Sequence, residues 1–193
     1  MLGTCEAKCW LATDDNAAQS MGDYLGKLIK KLDEKQEHTL VFLCIGSDYY
    51  IGDSLGPLVG SEITKYYYVE VWGTMEYPVC ANNLEETILL IRTRYNNPLV
   101  VCIDAGIGNK EQTGQIEVIL GGLRPGLGVG QKFPAFGDIS IIGYVNCKHC
   151  LNYHNLQNIS LKMVLSMSKV IAEAIFHAYV MLLQSRKTMS HEE

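Results

Sequence analysis

An α/β sandwich with a largely parallel sheet is the fold class this sequence predicts, and three observations carry it. Runs of consecutive apolar residues, such as Val41-Phe42-Leu43-Cys44-Ile45 and Leu99-Val100-Val101-Cys102-Ile103, have the length and composition of strands buried on both faces. Segments with apolar residues at helical spacing alternate with them, which is the pattern of βαβ units. Two of the runs lead to an acid and to glycines, at the place where open α/β sheets bind ligands, beyond the carboxyl ends of strands.

The elements follow in order. Residues 1–15 show no periodic pattern and are expected to be irregular. From about residue 16 to 35, Met21, Tyr24, Leu25, Leu28, Ile29 and Leu32 recur at helical spacing with lysines opposite, predicting a surface helix laid on the sheet. Residues 40–45 form the first predicted strand, and a helix is expected from just after Asp53 to about Lys65. Residues 66–72 read as a second strand, and 73–78 as the loop that leaves it. Asn82 or Asn83 is placed to cap a helix with Glu85 and Glu86 in its first turn, ending near Tyr95 ahead of Asn96-Asn97-Pro98. Residues 99–103 are a third strand, delivering Asp104 at its carboxyl end. Strands at 115–120 and 138–145 follow, separated by a glycine-rich loop over 121–136. One long helix is expected from about His154 to Gln184, then a frayed polar tail. No repeat or linker divides the chain, so one domain is expected over 1–193, with its core at about 38–184.

Composition narrows the function classes. With 48% apolar and 19% charged residues, the chain has the content of a folded globular protein. Its formal charge of −5, with no Lys/Arg run, disfavours a nucleic-acid partner. No signal-peptide pattern and no uninterrupted apolar membrane span are read from the sequence, so a cytoplasmic protein without a membrane partner is expected. Seven cysteines include Cys44 and Cys102 inside strand-like runs, which suggests buried thiols in a reducing compartment rather than a disulfide framework.

The chemistry-bearing residues centre on Asp53 and Asp104. In a parallel sheet, acids at the ends of two strands reach the same edge. A pair of carboxylates can share a proton and activate water for attack on a carbonyl, because adjacent charges raise one pKa. The same pair can ligate a divalent cation. Plainer readings stand beside these: Asp53 as a helix cap and Asp104 as an anchor for loop amides. Around the first acid, Gly46, Ser47 and Asp48 are candidate substrate contacts. A third piece is the loop Arg124-Pro125-Gly126-Leu127-Gly128-Val129-Gly130, where Gly126, Gly128 and Gly130 let backbone amides approach a ligand. Its spacing fits neither the phosphate-binding loop nor the dinucleotide fingerprint.

Three segments, in order, carry a resemblance: residues 46–57 (GSDYYIGDSLGP), the strand ending in Asp104-Ala105, and residues 125–130 (PGLGVG) followed by 137–143 (GDISIIG). Residues 156–161 (LQNISL) also match, as the entry to the last helix. The chain resembles the YyaC-type sporulation protein family, whose members are often labelled spore proteases. More distantly it is similar to the germination protease that degrades small acid-soluble spore proteins, and to hydrogenase maturation endopeptidases. The resemblance implies a three-layer α/β/α sandwich of the phosphorylase/hydrolase-like kind and an atypical aspartic-type peptidase with Asp53 and Asp104 as its catalytic pair. It implies a protein or peptide substrate, small acid-soluble spore proteins among them, in the mother cell or forespore of a sporulating bacterium. In the hydrogenase-type relatives the corresponding acids help bind nickel with a further His. Here His149 and His154 do not match that position, and Ser54 stands where the protease motif has Ala. The leading reading requires no cofactor. The alternatives are a divalent metal at Asp53 and Asp104 in a maturation-type endopeptidase, or a sporulation protein that binds a partner through the same cleft without cutting it.

A second cluster, Cys147-Lys148-His149-Cys150 with His154 behind it, has a C-x-x-C spacing suited to zinc or redox chemistry, and Cys5 and Cys9 form another half-site. The plain alternative is reduced thiols in a loop before the last helix. His177 and the methionines at 163, 167 and 181 read as helix packing.

Overall fold

The protein is described from a computed structural model over residues 6–35, 37–65, 69–124, 135–147 and 159–189, with side chains of the last segment described as far as Ser185. The elements are β1 (Ala7–Leu11), α1 (Ala17–Leu32), β2 (Thr39–Cys44), α2 (Leu55–Ile63), β3 (Glu70–Trp72), α3 (Leu84–Arg94), β4 (Pro98–Gly108), β5 (Gln115–Leu120), β6 (Ile139–Cys147) and α4 (Leu161–Met189). The strands form one sheet in the order β1-β5-β6-β4-β2-β3. The pairs β2–β3, β2–β4 and β4–β6 are parallel, whereas β5 runs antiparallel to both β1 and β6.

The sheet is covered on both faces, and the two-residue period of its strands explains how. Phe42, Val101, Ile103 and Ile141 face a core shared with Leu25 of α1, Leu55 of α2, and Met167 and Ile171 of α4. The alternate residues Val41, Leu43, Val100 and Cys102 face Leu84 and Ile91 of α3. A strand that must be apolar on both sides reads as a continuous hydrophobic run, which is why β2 and β4 were legible. The layers are therefore α/β/α. Burial of each such Leu, Ile or Phe side chain contributes about 1.5–3 kcal/mol.

Helix α2 lies directly on β2 because Gly56 carries no side chain: a Cβ there would sit 2.1 Å from the Ile45 carbonyl oxygen. That close contact fixes where the segment before α2 emerges over the strand ends. The crossover β2–α2–β3 and the crossover β3–α3–β4 place their helices on opposite faces and their strands on opposite sides of β2. The gap beyond the carboxyl ends of β2 and β4 is thus the topological switch point of the sheet.

Several expectations are corrected. The N-terminal segment is not wholly irregular, since Ala7–Leu11 is an edge strand on β5; only Trp10 of its five residues is buried, so no alternation showed in the sequence. Strand β4 does not end at Asp104 but continues to Gly108 along β6, with a register shift between Gly106 and Ile107. Helix α4 runs through the expected tail to Met189. By length and composition its Leu161–Ser185 stretch is long and apolar enough to cross a membrane, although Lys162, Lys169 and Glu173 interrupt it. In this fold its buried residues, among them Val164, Met167, Ile171, Ala174 and Ala178, belong to the core shared with α1 and α2. Gly22 of α1 lies against Ala174 and His177 of α4, which accords with the packing role read for His177.

Candidate functional site

Strand β2 leaves the sheet at Ile45, whose amide still donates to the Ile103 carbonyl (2.8 Å) and which bridges Val79. The chain then bends at Gly46, where φ is +141° and a Cβ would meet the Asp53 carbonyl oxygen at 1.9 Å. A side chain at 46 would push the acid loop off the strand end. The loop closes on itself: the Ser47 amide donates to the Asp53 carbonyl (3.1 Å), and the Ser54 amide donates to that of Tyr50 (3.1 Å). A single 3-10 turn, Gly52–Ser54, then leads into α2.

Asp53 is not a helix cap. Ser54 occupies the cap position of α2, with no side-chain capping bond there, and the Asp53 carboxylate instead accepts a hydrogen bond from the Ser47 hydroxyl at 2.7 Å. Ser47 is itself buried, so this donor is shielded from water and fixes the position of the Asp53 carboxyl oxygen.

Asp104 sits on β4 one residue beyond the last β2 pair, Cys44 with Ile103, so its β2 side is open where β2 has turned away. Its Oδ1 accepts the Ala105 amide at 2.8 Å. Burial pushes its carboxyl up to about 7, the Ala105 amide opposes that shift, and the negative charge of Asp53 adds to it. The two acids, fifty-one positions apart in sequence (104 − 53), are thus electrostatic neighbours at the switch point. Pushed up to about 7, Asp104 can hold or release a proton near neutral pH beside a second acid, an arrangement suited to base and acid steps in hydrolysis.

The other sequence candidates fall differently. The Gly46 amide is used by the Val79 carbonyl (2.8 Å), so Gly46 and Ser47 build the loop that holds Asp53, while Asp48 points into solvent. Gly126, Gly128 and Gly130 lie outside the described residues, as do His149, Cys150, His154 and Cys5. Cys147 closes β6 and is disulfide-bonded to a partner outside the described residues, not the reduced thiol of the plain reading. Cys44 and Cys102 are buried free thiols as expected, and burial holds both far above the ordinary thiol range.

Among the described residues no three His, Cys, Asp or Glu side chains group as metal ligands. Asp53 and Asp104 with the described residues alone therefore do not make up a nickel-type site. What sequence reading missed was the Ser47 hydroxyl as the partner of Asp53. Its only signal was a hydroxyl residue directly after the strand-ending glycine.

A family described as a protein of unknown function, DUF1256, matches residues 10–174. The chain belongs to this family. The DUF1256 match takes in the whole sheet from Trp10 onward and both acids. A relative in Bacillus subtilis (strain 168), described as uncharacterized protein YyaC, is 36% identical over 165 residues, covering 84% of this chain and 79% of that protein. The expected YyaC-type membership is thereby established. Neither description ascribes an activity.

Proposed function

We propose that this DUF1256 protein is a peptide-bond hydrolase of the cytoplasm of a sporulating bacterium, with Asp53 and Asp104 as its catalytic pair. The observation that carries the reading is the juxtaposition of two acids at the switch point: Asp104, pushed up to about 7 in part by the charge of Asp53, and Asp53, held by a buried hydroxyl. Asp53 acts as the base that draws a proton from water attacking the carbonyl carbon. Asp104 donates its proton toward the leaving amine, and the pair is restored when the proton taken by Asp53 returns to Asp104 through solvent. Ser47 keeps the Asp53 oxygen aimed. The step needs no cofactor.

Incubation with small acid-soluble spore proteins, with and without chelator, read by intact mass, tests the reading. Defined fragments from the unmutated protein and none from Asp53→Asn are expected. Cleavage retained by folded Asp53→Asn or Asp104→Asn would sink the mechanism, and loss of cleavage in chelator would transfer the two acids to a metal-dependent one.

A further inference from the structure

Beside the acid pair the surface carries a feature the chemistry above does not use. Tyr49 and Tyr50 are 84% and 74% exposed on the loop after β2, and Tyr77 is 74% exposed on the loop after β3. Ile51 and Met75 are exposed next to them. The start of the first loop lies beside the end of the second, joined by the Gly46 amide on the Val79 carbonyl. Both are framed by their own hydrogen bonds: Ser47 to Asp53 in the first, and in the second Thr74 to Tyr77 (3.1 Å) and Met75 to the Ser61 hydroxyl (2.8 Å). Five large apolar or aromatic side chains held outward on a fixed frame are costly to leave in water and lose little freedom when covered.

The described charged residues within these two loops are acids. Asp48 and Glu76 are exposed within the same two loops, and Asp53 and Asp104 lie behind. Residues 46–64, 73–91 and 99–109, the segments that build this edge, contain no Lys or Arg. Tyrosine faces beside carboxylates favour cations that also carry apolar stems.

We propose that these loops form a docking lip for an extended polypeptide segment in which apolar or aromatic residues adjoin Lys or Arg. The inference rests on the reading of the neighbouring cleft as a polypeptide site and names the class of segment the site takes.

The test uses Asp104→Asn protein, so that binding is read without turnover. The probe is a fluorescein-labelled Gly/Ser peptide with a central Phe-Leu pair flanked by lysines, followed by anisotropy. Binding is expected, weakened about tenfold when the lysines become Glu or the Phe-Leu pair becomes Ser-Ser, and weakened similarly between ~50 and ~500 mM salt. Tyr49→Ser with Tyr77→Ser, and separately Asp48→Lys with Glu76→Lys, each lower affinity about tenfold; all four side chains are exposed, so the fold is retained. Equal binding of the Glu peptide, an unchanged Tyr double variant, no binding of the Lys peptide, or flotation with phosphatidylcholine vesicles that the Tyr variant abolishes would overturn the proposal. Probe binding without cleavage of any spore protein would defeat the peptidase reading and leave the lip standing. Cleavage that the Tyr and charge variants do not alter would do the reverse.

Discussion

Asp33 and Asp104 are two acids with little access to water, and their surroundings differ in one decisive respect. Asp33, at the turn between α1 and β2, receives the Glu37 amide (2.9 Å), the His38 amide (3.3 Å) and the His38 ring Nδ1 (2.7 Å), all on one carboxylate oxygen. Asp104 receives one amide and feels the negative charge of Asp53. Asp33 gathers converging donors and is a structural tie; at Asp104 burial is opposed by one amide only, so the group is left ready to hold or release a proton near neutral pH. An aspartate's chemistry is thus set by how many donors its neighbours aim at it, more than by burial.

The sharpest way to break this comparison is to remove each carboxylate's charge. Asp104→Asn and Asp53→Asn should lower peptide cleavage by at least ~10³-fold with the fold intact. Asp33→Asn should leave the turnover of folded protein unchanged. Activity assays on the three proteins, with circular dichroism as the check on folding, decide it; a similar loss of turnover in all three would erase the distinction.

Stability should move the other way. Asp33→Ala strands two amides and a ring nitrogen and should cost about 2–3 kcal/mol in urea unfolding. Asp104→Asn should be neutral or stabilising at pH 8, and a loss comparable to that of Asp33→Ala would make Asp104 a structural tie after all.

The pH dependence follows from the same contrast. Asp104 has an ordinary value of 3.8 and a folded value of about 7, so the folded protein binds the extra proton between them. Its contribution is therefore favourable below about pH 4, is lost progressively as pH rises toward about 7, and stays lost above. The difference is on the order of 4 kcal/mol. Unfolding free energies across pH 4–8 should fall more steeply in the unmutated protein than in Asp104→Asn, and cleavage should decline above about pH 7 as Asp104 loses its proton. Parallel stability curves for the two proteins would contradict the shift.

The smallest effect is expected at Ser47. Ser47→Ala removes the hydroxyl from Asp53 and should reduce cleavage about tenfold with about 1 kcal/mol of stability lost. An unaffected rate would mean that the bond holds the loop without tuning the acid.

Much of this arrangement was legible in the linear sequence, for local reasons. The runs at β2 and β4 are apolar on every residue because each strand has a helix layer on both sides, and α1 shows its buried stripe at Met21, Leu25, Leu28 and Ile29. Asp53 and Asp104 stood out because each follows such a run. Membership of the DUF1256 family agrees with the motif resemblance, while the activity which that resemblance implies is still carried by the proposal alone.

Other features depended on partners distant in sequence. β1 is a strand only because β5 offers it a ladder, and its exposed residues leave no periodic trace. That Asp53 takes the Ser47 hydroxyl rather than capping α2 follows from the loop folding back at Gly46. The order of strands, with β3 and β4 on opposite sides of β2, brought the two acids within electrostatic reach at the switch point. Local pattern thus determined the central strands and the helices, and which acids follow apolar runs. Tertiary structure decided which donors and charges surround each acid, because solvation and Coulomb interactions depend on distances in space and not on positions along the chain.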